Sequence, residues 1–180
     1  MNAVRYPRRV CLWGMPGVGK STVGAVLAGK AGMAYWDLDE YIQEAQGRSI
    51  VDLIQTQGKD VFRALEKTAL DTLMTRKQGL IALGGGALLD PVYRAKIRER
   101  CFIITLWTSA TELQTRLVES EVAKRPLLHG SSSMHAQLHA LMTQRECHYR
   151  DVDLVLNVEG LSVHDVVGQL EAHLAQGIAA

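Results

Sequence analysis

Long apolar runs are missing from this chain, and so is any surplus of charge. After Arg5, Arg8 and Arg9 the sequence is apolar only over residues 10–13 before a glycine-rich turn interrupts it. That is too short for the apolar region of a secretion signal or for a membrane span, so neither is expected. Formal net charge is +1, with both signs interspersed. No global field draws such a chain onto nucleic acid or an anionic membrane, which argues against a basic nucleic-acid module. Cysteine is scarce: Cys11, Cys101 and Cys147 are an odd number with no C-x-x-C spacing. Cys11 falls in an expected strand and Cys101 borders another, where a thiol is a small apolar side chain, and the pattern reads as a reducing cytoplasm. Histidine pairs beside acids are lacking too. His135 and His139 are four apart but lie among Met, Gln and Leu without a third ligand, so no metal site is expected there. There is no internal repeat or low-complexity segment, and only residues 177–180 read as a loose tail.

What is present suits one domain with an ordinary buried core: 180 residues, 47% hydrophobic and 22% charged. Apolar runs of strand length at 10–13, 34–36, 80–83, 102–107 and 154–158 are separated by helical patterns. Helices are expected over 20–31, 38–46, 50–57, 59–76, 91–100, 110–120, 135–150 and 162–176. Strand alternating with helix predicts a parallel sheet covered on both faces, with ligands at the carboxyl ends of its strands. Two stretches break the rhythm. Residues 39–62 insert two short helices between strands, and residues 119–134 form a polar loop with Arg125-Pro126 and Gly130-Ser131-Ser132-Ser133 that reads as a mobile lid.

Residues 14–22, Gly-Met-Pro-Gly-Val-Gly-Lys-Ser-Thr, fit G-x-x-x-x-G-K-[ST] between a strand pattern and a helix pattern. Gly14 and Gly19 permit backbone angles and close approach that other residues do not, so successive N–H groups can face phosphate oxygens. The helix that follows adds its positive end. Lys20 then reaches the β and γ phosphates, and the Ser21 hydroxyl can complete the shell of a magnesium ion. A nucleoside triphosphate is the expected ligand; a plain glycine turn is the alternative.

Asp37 and Asp39 leave the second apolar run with one residue between them, at the edge of the sheet where the phosphates would sit. One carboxylate can orient water on magnesium while the other accepts the proton of an attacking hydroxyl. Capping and first-turn acids of a helix are the competing reading. Arg145 lines up with Leu138, Leu141, Met142 and Tyr149 on the apolar stripe of its helix. A guanidinium buried there needs an anion, from the protein or from a ligand. Arg63 poses the same question beside Leu70 and Met74, although Glu66 at i+3 offers a surface pairing. Gly84-Gly85-Gly86 ends the third strand at the same sheet edge, where ligand approach competes with a flexible turn. In the lid, Arg125, with Lys124 beside it, can supply a mobile positive charge over the nucleotide or be a solvated loop residue.

Residues 14–22, Asp37-x-Asp39, Gly47-Arg48-Ser49-Ile50, Phe62-Arg63-x-x-Glu66, Gly84-Gly85-Gly86, Arg125-Pro126-Leu127-Leu128 and Arg145-x-x-x-Tyr149 together resemble the shikimate kinase family, in order and spacing over nearly the whole chain. The resemblance implies a three-layer α/β/α P-loop kinase fold: a five-stranded parallel sheet in the order 2-3-1-4-5, a substrate-binding insertion at 38–62 and a lid at 119–134. It implies transfer of the γ-phosphoryl of ATP to the 3-hydroxyl of shikimate, with Mg2+, in chorismate and aromatic amino-acid biosynthesis. By motif position, Gly17, Val18, Gly19, Lys20, Ser21 and Thr22 hold the phosphates, Lys20 on the transferring group and Ser21 on magnesium. Asp37 assists the metal through water, Asp39 binds the hydroxyls and acts as base, and Arg125 closes over the phosphates. Arg63, Arg145 and the backbone N–H of Gly85 grip the carboxylate. The chain departs from the family pattern after the last strand, where Asn157-Val158-Glu159-Gly160 offers no basic residue for the adenine, which turns that expectation to backbone or to the region of Arg116. Trp36 and Leu38 are bulkier or more apolar than the pattern and are expected to reshape the pocket. A gluconate-type kinase is a second reading, and a nucleotide-dependent sensor that binds a small carboxylate without turnover is a third. A cytoplasmic monomer without nucleic-acid or membrane partners is expected.

Overall fold

The apolar runs become strands that hydrogen-bond side by side. A computed structural model describes residues 9–119 and 134–176. Its strands are β1 (Arg9–Gly14), β2 (Tyr35–Asp37), β3 (Gly79–Ala82), β4 (Phe102–Trp107) and β5 (Leu154–Asn157). All pairings are parallel, in the order β2-β3-β1-β4-β5. β1 lies at the centre, where Cys11 faces Ile81 on one side and Ile103 on the other. A strand with neighbours on both edges and helices on both faces has no solvent side, so from Val10 to Gly14 it is buried throughout and reads as a continuous apolar run. β2 at the edge is three residues long and half-buried.

The helices are α1 (Lys20–Ala31), α2 (Leu38–Gln46), α3 (Ile50–Gln57), α4 (Lys59–Leu73), α5 (Pro91–Arg98), α6 (Ala110–Glu119), α7 (Met134–Arg150) and α8 (Val163–Gln176). α1 packs on α8 and on the β2–β3 side of the sheet, while α2 and α3 both lean on α4, and α6 packs on α7. Local chemistry sets most of the ends. Asp37 caps α2 by accepting from the Asp39 and Glu40 amides, and Gly47 closes it at φ 63°. Ser49 caps α3 through the Asp52 amide at 3.1 Å. α4 stops at Leu73 rather than at the expected 76, because its last turn tightens: Thr75 N donates to Thr72 O and Arg76 N to Leu73 O. α5 tightens in the same way after Arg98, with Arg100 N on Ile97 O.

Two interior features bear on earlier expectations. Cys11 and Cys101 are free and buried with their sulfurs 3.2 Å apart, and the contact with Cys101 together with burial raises the Cys11 thiol pKa well above its usual value. A protonated thiol is a poor nucleophile, in keeping with an apolar filling role. Arg94, in contrast, is a buried cation that its sequence context did not single out. It is 4% exposed and donates to Asp151 Oδ2 at 2.7 and 3.2 Å and to the Leu88 carbonyl at 2.7 Å. It thereby ties α5 to the segment after the triple glycine and to the link between α7 and β5.

Candidate active site

The carboxyl ends of β1, β2 and β3 meet at one edge of the sheet, and each carries a motif. At the end of β1, Gly14 has φ 139°, and a Cβ there would collide with the Leu106 carbonyl of β4. Gly19 takes φ 101° and opens α1 with no side-chain cap and no acidic residue in the first turn. The helix thus presents its leading amides to the loop, as an anion site requires. Lys20 Nζ donates to the carbonyls of Met15 at 2.9 Å and Gly14 at 3.1 Å, so the ammonium is held over the loop. Val18 is buried, and its carbonyl accepts from Arg116 Nη1 at 3.1 Å, while Arg116 Nη2 reaches the Val158 carbonyl at 3.2 Å. Arg116 therefore bolts the phosphate loop to the end of β5.

At the end of β2, the two readings of the acidic pair prove compatible. Asp37 Oδ1 caps α2, while Oδ2 accepts the Ser21 hydroxyl at 2.6 Å. A hydroxyl and a carboxylate held together beside a phosphate loop form a hard-oxygen donor set that suits Mg2+. Asp39, on the first turn of α2, points instead into a cavity of about 250 Å³. Arg63 and Glu66 from α4, Gly84, Gly85 and Gly86 after β3, and Arg145 from α7 line the same cavity. Six of the predicted residues (Asp39, Lys20, Ser21, Arg63, Gly85 and Arg145) are thus gathered at one sheet edge. Arg125 lies outside the described residues, as does Lys124.

The triple glycine is required by close approach to side chains of the site. A Cβ on Gly84 would lie 2.6 Å from Glu66 Oε1 and 3.0 Å from Asp39 Oδ1, and one on Gly86 would overlap the Arg63 guanidinium. Glu66 is the residue that sequence reasoning misread. It is 2% exposed, not a surface partner, and its Oε2 accepts from Arg63 Nη1 while Oε1 has no hydrogen-bond partner among the described residues. Burial pushes its pKa up to about 7, opposed by Arg63 and reinforced by the nearby Asp39 carboxylate. Arg145 is 5% exposed and donates from Nη1 to the Gly85 carbonyl at 3.4 Å. Two guanidinium groups, beside Gly85 and Gly86, and two carboxylates beside Gly84 make a pocket for a compact molecule that carries both an anion and hydroxyl groups.

A phosphate cradle, an adjoining hard-oxygen pair and an acceptor pocket at the same sheet edge define a P-loop kinase of small molecules. The comparisons narrow that class. The family model "Shikimate kinase" matches residues 16–175. A shikimate kinase of Geobacter metallireducens is 36% identical over 97% of this chain and 96% of its own. The solved structure of an Acinetobacter baumannii shikimate kinase in complex with shikimate superposes with a TM-score of 0.88 at 26% identity, covering 97% of this chain and 96% of that one. A gluconokinase from Sinorhizobium meliloti reaches 0.68 at 18% identity over 97% of each chain, which shows a common fold alone. The chain belongs to the shikimate kinase family, and it is an ATP-dependent phosphotransferase of that family.

Proposed function

We propose that this site transfers the γ-phosphoryl of ATP to the 3-hydroxyl of shikimate with the following division of labour. The amides of Gly17, Val18, Gly19, Lys20, Ser21 and Thr22 cradle the phosphates, and Lys20 exchanges its loop carbonyls for the transferring group. Ser21 and, through water, Asp37 would hold Mg2+, which would supply neutralisation of phosphate charge. Arg63 and Arg145 take the acceptor's carboxylate with the Gly85 amide. Asp39 and Glu66 Oε1 face its hydroxyl groups, and Asp39 receives the proton of the attacking one. Glu66 also orients Arg63 through their ion pair. Arg125 closes over the phosphates from the lid segment 119–134, and residues 38–62 form the acceptor-binding insertion. The adenine lies near Arg116 and the end of β5. No helix among the described residues is long and apolar enough to cross a membrane; the protein works as a monomer in the cytoplasm, without nucleic-acid or membrane partners.

The observation that carries this reading is the mixed charge lining one cavity: two arginines together with Asp39 and a buried Glu66 whose Oε1 has no hydrogen-bond partner among the described residues. Asp39→Asn tests it. The variant should lose phosphoryl transfer while keeping much of its ATP affinity, and turnover equal to the parent's rules out Asp39 as the base.

A further inference from the structure

Three glycines in a row have no preferred conformation of their own, so whatever fixes Gly84-Gly85-Gly86 also fixes the pocket wall they form. The ends of the turn are held by backbone: Leu83 N donates to Leu12 O at 2.9 Å, Ala87 N to Gly84 O at 3.1 Å, and Leu89 N to Gly86 O at 3.4 Å. Its middle is held by two side chains of α7. Tyr149 Oη donates to the Gly85 carbonyl at 2.8 Å, and Arg145 Nη1 reaches the same oxygen at 3.4 Å. The two contacts are not equivalent. Arg145 is assigned to the substrate carboxylate, and a guanidinium that turns to a carboxylate can give up a contact as long as 3.4 Å.

Tyr149 has no such second task and little freedom. It is fully buried, its ring meets Trp13 edge-on with centroids 4.5 Å apart and Trp107 at 6.2 Å, and its hydroxyl lies 3.7 Å from the Met15 sulfur. Burial raises the phenol's pKa, so the hydroxyl remains a donor. The peptide is trans, so a carbonyl fixed toward Tyr149 sends the Gly86 N–H of the same peptide to the opposite side. We propose that Tyr149 is a positioning residue for the acceptor: its hydroxyl keeps the Gly85 carbonyl anchored while Arg145 is engaged by the substrate carboxylate, and so presets the glycine turn against which that carboxylate docks. This rests on the carboxylate-binding role proposed above for Arg145 and Gly85.

Tyr149→Phe keeps the ring and its packing and removes only the donor. The Michaelis constant for shikimate should rise roughly five- to tenfold, the usual yield of one buried hydrogen bond, while kcat and the constant for ATP stay within about twofold. Amide exchange at residues 84–86 should quicken in the ligand-free variant. A purely structural role would act through stability, so Val167→Ala, in the core of α8 and away from the site, serves as control. It should lower the melting point and leave the shikimate constant and the exchange at 84–86 as in the parent. A Tyr149→Phe enzyme whose shikimate constant matches the parent's, or in which both substrate constants rise together, overturns the positioning role. The two readings fail separately: a parent without shikimate turnover overturns the proposed function, whereas an active parent with an unaffected Tyr149→Phe variant overturns only this inference.

Discussion

Arg145→Met should damage the enzyme's affinity without damaging its fold. In the ligand-free protein the guanidinium is 5% exposed and makes a long contact, 3.4 Å, to the Gly85 carbonyl. Desolvation of the buried guanidinium opposes its attraction to the Glu66 carboxylate and the Tyr149 hydroxyl, so exchanging it for an unbranched apolar side chain of similar reach should change stability by no more than about 2 kcal/mol. For a chain of this size that keeps the melting point within roughly 5 °C of the parent's. Glu66, which also feels the Arg145 charge, keeps its ion pair with Arg63. Substrate affinity moves the other way. Removing one partner of a buried charged hydrogen bond costs about 2–5 kcal/mol. Arg63 still faces the carboxylate, which places the loss near 3 kcal/mol, or roughly 150-fold in the shikimate constant. Steady-state ADP release gives the kinetic half and thermal unfolding, with and without shikimate, the other half. Shikimate should stabilise the parent and leave the variant almost unmoved at the same concentration. A variant that melts well below the parent, or that keeps the parent's shikimate constant, contradicts the assignment of Arg145 to a ligand anion.

Glu66→Gln should change the pH dependence of stability. The folded-state pKa of Glu66 is raised from 4.5 to about 7, so its contribution is fully present below 4.5 and is lost as pH rises through 7. Relative to the variant, the parent should lose up to roughly 3 kcal/mol over that window in denaturant titrations, and parallel curves would refute the buried-carboxylate reading. Gly86→Ala places a methyl group on the Arg63 guanidinium at a backbone conformation that alanine tolerates, and should raise the shikimate constant about tenfold with little change in that for ATP; unchanged kinetics would show that Arg63 is free to move aside. Amide exchange of residues 119–134 should slow when both substrates are bound, and identical exchange with and without them would argue against a closing lid.

The parts legible in the sequence are those where geometry restricts the choice of residue. Only a glycine fits at Gly14 against the Leu106 carbonyl, and a strand such as β1, covered on both faces, has to be apolar from end to end. Arg145 stood out because a cation on an apolar stripe conflicts with its helix. Glu66 gave the same signal, since it shares a stripe with Phe62, Ala69, Leu70 and Leu73, all buried, but the i+3 spacing to Arg63 suggested a surface pair and hid it. Other features depend on contacts remote in sequence. Arg94 meets Asp151 across 57 residues, and Tyr149 meets Gly85 across 64. No local pattern encodes either one. Sequence could not choose between cap and metal partner for Asp37, because one of its oxygens caps α2 while the other is left to the Ser21 hydroxyl.

The most direct test is ADP release by the purified chain with magnesium ATP and shikimate, beside gluconate and a blank without acceptor. Release that depends on shikimate and not on gluconate is the expected result. Release driven by gluconate alone, or shikimate binding with no ADP formed, would contradict the assignment of the Arg63, Arg145 and Asp39 pocket to phosphoryl transfer onto shikimate.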